Sequence, residues 1–143
     1  IWGIDMDVER LSIAREIYPN LKENLMHARL SEISFPDAHF DHIICSAVLH
    51  FTEDKNHFYR MFSELIRVLK PTGSILVRIA SNIGLLETTE ELCDAYNDRK
   101  AGFYLDRETI SQLLDKYDLK LLELIKTTNV QDIRAMTTLV LQK

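Results

Sequence analysis

The chain is predicted to be an α/β protein, doubly wound, whose mostly parallel sheet closes on an antiparallel C-terminal hairpin. Three observations predict it. Phe40–Ala47, FDHIICSA, is an apolar run opened by an acid, and such a run reads as a strand buried on both faces of a parallel sheet. A helix with one apolar stripe follows, and Lys70-Pro71-Thr72-Gly73 leads from it into a second apolar strand. This strand–helix–strand unit has an open carboxyl end, where α/β sheets bind ligands. Finally, the last two strands are separated by about six residues, whereas a parallel pair needs a crossover of a dozen or more, so they must be antiparallel.

Composition agrees with one globular domain. The 143 residues are 46% hydrophobic and 27% charged, enough for a real core. Acidic residues outnumber basic ones, 22 against 17, and no Lys/Arg block is present, which disfavours binding to a phosphate backbone. No nucleic-acid partner is expected. Cys45 and Cys93 lie far apart without a CxxC pair, so cytosolic free thiols are expected rather than a disulfide scaffold. No apolar run approaches the roughly 20 residues of a membrane span and no signal peptide is visible, so a cytoplasmic protein without membrane attachment is expected.

Taken in order, Ile1–Asp5 reads as a short strand ending in an acid. It begins with no leading polar residues, and the expectation is that a segment upstream is missing. Asp7 is placed to cap a helix that carries Leu11, Ala14 and Tyr18, with Ile13 and Ile17 beside them, until Pro19-Asn20 breaks it. A weaker strand is predicted near Asn24–Ala28, then a polar loop through Ser34-Phe35-Pro36-Asp37.

After the strand at Phe40–Ala47 comes the cleanest helical pattern. Phe58, Met61, Phe62, Leu65, Ile66 and Leu69 form one stripe that must pack on a sheet. Pro71 ends that helix, because the residue before a proline resists the helical basin, and Gly73 is assigned the tight turn into strand Ser74–Ala80. Thr88-x-x-Glu91 is a capping-box signature for a short helix with Leu92, Ala95 and Tyr96. Asp106 caps another, with Ile110, Leu113, Leu114 and Tyr117 inward, and Lys120–Thr127 and Arg134–Gln142 are the closing strands.

The order and its local motifs together resemble the class I S-adenosylmethionine-dependent methyltransferases. Trp2-Gly3-Ile4-Asp5-Met6 resembles the family's second strand, and Phe35-Pro36-Asp37-x-x-Phe40-Asp41-His42-Ile43-Ile44 the approach to its fourth. Leu49-His50-Phe51 resembles the segment after that strand, and Arg67-Val68-Leu69-Lys70-Pro71-x-Gly73 its "RVLKPGG" turn. The resemblance covers nearly the whole chain and implies a Rossmann-like methyltransferase fold with S-adenosylmethionine as cofactor.

Two departures stand out. The family's first strand and its GxGxG loop have no counterpart here. Because that strand is central in the family, its absence would leave the sheet split. Either the sequence is N-terminally truncated, which is the expectation, or it is a degenerate relative. The second departure is Arg29, which stands where the family often has an Asp that accepts from the adenine amino group. Arginine offers only donors.

The resemblance implies a set of cofactor-binding residues. Asp5, with Met6 after it, would accept both hydroxyls of the ribose; an acid in that position serves nicotinamide dinucleotides equally. Main-chain groups of Ala28, Arg29 and Leu30 would meet the adenine ring, and those of Cys45 and Ser46, with Ala47 beside them, the methionine part. The Cys45 thiol itself reads as a small core group. No catalytic residue is assigned. His50 is the one candidate base, since an imidazole titrates near neutrality, although packing is the competing role.

Other residues read as structural. Asp41 begins its strand, away from the cleft. His39 and His42 flank it as H-x-x-H, but strand positions three apart face opposite sides, so no metal site is expected. Arg78 interrupts an apolar strand and could pair with a carboxylate or reach substrate. Asn82, Tyr96, Tyr104 and Arg107 lie on segments that could cover the cleft.

The expected function is methyl transfer by in-line displacement to a small-molecule acceptor, with self-association left open. The alternatives are a catalytically inactive methyltransferase-like partner subunit, or a nicotinamide-binding domain, which would require a parallel final strand.

Overall fold

The computed structural model describes residues 1–85, 101–131 and 134–143. The capping box at Thr88–Glu91, the residues Leu92, Ala95 and Tyr96, and Cys93 lie outside the described residues. Strands β1 (Gly3–Asp5) and β2 (Leu25–His27) form a two-stranded parallel sheet joined by helix α1 (Val8–Ile17) and a 3₁₀ segment, Pro19–Asn24. The second, larger sheet contains β3 (Phe40–Ser46), β4 (Leu69–Ser81), β7 (Arg134–Gln142), and two short strands, β5 (Lys120–Leu121) and β6 (Lys126–Val130). Helices α2 (Lys55–Val68) and α3 (Arg107–Tyr117) complete the described elements. Among the described residues the strands thus form two separate sheets.

β3 and β4 are parallel, and β4 and β7 antiparallel. β5 and β6 both pair antiparallel with the free side of β7, so the closing hairpin forms as its short loop requires, with its first strand broken into two pieces.

The helix starts follow the sequence closely. Asp7 accepts from the N–H groups of Glu9 and Arg10, and Asp106 from that of Thr109 at 2.6 Å. All six stripe residues of α2 and its end, from Phe58 to Leu69, are buried, joined by Ile75, Val77, Ile79, Leu139 and Leu141 from the sheet and Ile110 and Leu113 from α3.

Three expectations are corrected. β3 is buried on one face only: Cys45 is in the core, but Ile44, one step along, is 78% exposed. The pleat puts these neighbours on opposite sides, and among the described residues no helix covers the Ile44 side. Secondly, the residues after the α1 break are not irregular: α1 ends at Ile17 as expected, and Pro19 then starts the 3₁₀ segment at its first position, where its missing N–H costs nothing. Thirdly, the left-handed turn after α2 falls on Thr72, with φ 65°, not on Gly73. Gly73 is needed for another reason: a Cβ there would lie 2.9 Å from the carbonyl oxygen of Asp41.

Candidate functional site

The first part of the site is built at the carboxyl ends of β1 and β2. Pairing of Asp5 with His27 is extended by a hydrogen bond from the Ala28 N–H to the Asp5 carbonyl oxygen, 3.1 Å. The Asp5 carboxylate is exposed, and its Oδ1 accepts from the Asp7 N–H at 2.9 Å. Among the described residues nothing occupies Oδ2. One tether orients the group while its remaining lone pairs face solvent, an arrangement suited to an incoming diol. Met6 is 61% exposed, and His27 Nε2 lies 3.2 Å from its carbonyl oxygen. Arg29 is exposed and Leu30 half-buried, and the Arg29 carbonyl accepts from Glu32 N–H at 3.1 Å, turning the chain back toward the core.

The second part lies where β3 ends beside β4. Ser46 pairs with Arg78 and is exposed, whereas the Cys45 side chain is buried. Burial pushes the Cys45 thiol up to about 12, so at neutral pH it is protonated and unreactive. Ala47 takes a left-handed conformation, φ 57°, and donates its N–H to the Arg78 carbonyl at 2.8 Å. A non-glycine residue rarely holds this conformation, and here it turns the chain sharply at the strand end. Among the described residues no carboxylate pairs with Arg78.

His50 is buried, 7% exposed, and its Nδ1 accepts from the Ala80 N–H at 3.4 Å. Desolvation, with the nearby Arg78 charge, lowers its pKa to about 4. With Nδ1 as acceptor the proton sits on Nε2, so the ring is a neutral group closing the end of β4 and a weak base. Buried and engaged at Nδ1, His50 packs at the end of β4. Asp41 is held by Lys70 Nζ, 2.9 Å from both carboxylate oxygens, and that partner keeps its carboxyl below the usual range. His39 stacks on Phe35, and His42 Nδ1 meets Ser74 Oγ at 2.8 Å, so the two histidines are engaged apart from each other. Of the other cleft-side residues, Asn82 donates its N–H to the Leu105 carbonyl, Arg107 opens α3, and Tyr104 is half-buried.

Two features escaped the sequence reading. Gly102 donates to the His50 carbonyl at 2.9 Å, and a Cβ on it would lie 1.6 Å from the Thr52 carbonyl oxygen. Only glycine permits the segment before α3 to rest on the His50–Thr52 turn. Arg67, part of a turn motif in the sequence, also binds the loop after β2.

The fold has close counterparts among solved structures. A S-adenosylmethionine-dependent methyltransferase from Methanosarcina mazei matches 99% of this chain and 80% of its own at 18% identity, TM-score 0.76. The N-methyltransferase NodS from Bradyrhizobium japonicum, solved with S-adenosylhomocysteine, matches 98% of this chain and 64% of its own at 16% identity, TM-score 0.68. In sequence, residues 1–77 match the model of a family described as a methyltransferase domain. The chain belongs to the methyltransferase-domain family. The matched stretch holds both halves of the candidate site. Bacillus subtilis YqeM, whose name places it among methyltransferases, is 29% identical over 105 residues, 72% of this chain and 42% of YqeM. The chain thus spans under half the length of that relative.

Proposed function

We propose that this protein transfers a methyl group from S-adenosylmethionine to a small-molecule acceptor by in-line displacement. The observation that carries the reading is Asp5: an exposed carboxylate closing a parallel strand, tethered through one oxygen and open at the other. Its acceptors fit a ribose diol, which offers two donors. The main-chain groups of Ala28 to Leu30 would flank the adenine. Arg29 brings no acceptor in its side chain, so its carbonyl, already taking the Glu32 N–H, would supply that contact. The backbone at Cys45 and Ser46 would face the methionine part.

When bound, the cofactor supplies an electrophilic methyl group on a sulfonium. What this chain must then do is bind, orient and exclude water, and orientation alone can contribute about 7–11 kcal/mol. No residue need remove a proton before an already nucleophilic acceptor reacts, which accords with a neutral, weakly basic His50. The acidic surplus and lack of a basic block support a small acceptor over a polyanion.

Calorimetric titration of the intact protein with S-adenosylmethionine tests the reading, with saturable binding expected and no binding at millimolar cofactor overturning it. Asp5→Ala is expected to weaken that binding by about tenfold or more, the scale of one lost charge-assisted hydrogen bond.

A further inference from the structure

The residues of the candidate nucleoside site belong to a unit that, among the described residues, no hydrogen-bonded ladder joins to the larger sheet: β1 pairs with β2, and β3 with β4. Where Asp5 stands relative to Ser46 is therefore set by side-chain packing and by the segment running from Ala28 to Phe40. Besides packing of Leu30 and Ile33 against the core, among the described residues that segment is fastened by hydrogen bonds to the last two turns of α2.

The fastening is dense. Glu64 Oε2 accepts from the Ile33 N–H at 2.9 Å, and Arg67 Nη2 donates to the Ile33 carbonyl at 2.7 Å. Arg67 Nη1 donates to the Phe35 carbonyl and to Asp37 Oδ1, both at 2.8 Å. Arg67 Nε and Nη2 also grip the two Glu64 oxygens, at 2.8 and 2.9 Å. The Ala38 and His39 N–H groups then bond the Arg67 and Val68 carbonyls, at 2.9 and 2.8 Å. A planar guanidinium can hold two backbone carbonyls and two carboxylates at once, which a lysine ammonium cannot. Phe35, held this way, meets Trp2 edge-to-face at 5.2 Å between centroids, and Trp2 leads directly into β1.

We propose that Glu64 and Arg67 are positioning residues for the cofactor's nucleoside: they fix the loop behind Ala28–Leu30, and through Phe35 and Trp2 the placement of β1 and Asp5. This rests on the proposed function for its ligand, and on the hydrogen bonds above for its mechanics.

The test uses the intact protein and two readouts, S-adenosylhomocysteine affinity by calorimetry and the emission of Trp2, the one tryptophan in the sequence. Arg67→Gln is expected to weaken binding by about tenfold, measured well below its unfolding midpoint, and to shift Trp2 emission before any ligand is added. Arg67→Lys should behave likewise, since charge without the fork cannot hold the loop. Glu64→Gln, which keeps an acceptor for Ile33, should bind more tightly than either. Lys70→Gln breaks a neighbouring ion pair that does not touch the loop, and should leave both readouts at their starting values. An Arg67→Gln protein that is folded, binds as tightly as the parent and emits unchanged overturns the proposal. If the parent itself binds no S-adenosylhomocysteine, the functional reading fails and the nucleoside role falls with it. Trp2 emission in the free variants still decides whether the fork positions β1.

Discussion

The two sheets are built from similar strand–helix–strand sequence but are held together very differently. In the larger one, Phe58, Phe62, Leu49, Leu69, Ile75 and Ile79 are all under 2% exposed and close one continuous core. In the smaller, α1 buries Leu11 alone, while Ile13 and Ile17 stand 57% and 61% exposed. Burial of apolar area is the main stabilising term, at about 25 cal/mol per Å². Stability must therefore reside in the larger sheet and its two helices, while the unit bearing Asp5 depends on a few side-chain contacts and the Arg67 fork. The residues proposed to hold the nucleoside are on the less consolidated side, and those proposed for the methionine part on the other.

The sharpest way to break this comparison is to truncate one apolar residue on each side. Phe62→Ala, at a fully buried position, should cost about 3–5 kcal/mol in a denaturant titration. Acidification should come next. The His50 pKa of about 4 lies below the ordinary 6.5, so the folded protein binds that proton less readily than the unfolded chain. Its contribution is complete above pH 6.5 and is lost as pH falls toward 4, by roughly 3 kcal/mol in all. Unfolding free energies measured between pH 7 and 4.5 should fall, and the fall should shrink in His50→Gln. The carboxyls of Glu64 and Asp41 are both held low by cationic partners, so the comparison with His50→Gln isolates the histidine's share of the fall. Gly102→Ala should then cost about 1–3 kcal/mol, because the new methyl meets the Thr52 backbone and not a side chain that can swing aside. The smallest effect belongs to the small sheet: Ile17→Ala should change stability by less than about 0.5 kcal/mol. A loss as large as that of Phe62→Ala would show that α1 is consolidated after all.

Much of the fold was legible because its causes are local. The α2 stripe recurs every three or four residues, so six buried positions could be named from spacing alone, and Asp7 and Asp106 cap within three residues of themselves. The antiparallel hairpin followed from the length of one loop. Of the candidate site, Asp5 was marked by its place at a strand end and the family's pattern. The burial of His50 and its engagement by the Ala80 N–H were hidden, since that partner lies thirty residues away.

The amino-acid sequence by itself determined where helices begin, which helix face is apolar and that the final strands oppose each other, because each rests on contacts between near neighbours or on the reach of a short loop. Only the tertiary structure decided that Ile44 faces out, that Gly102 must lack a side chain, and that Arg67 grips Ile33 and Phe35. Those outcomes depend on which distant segments meet, and no periodicity along the chain encodes a partner more than thirty residues away.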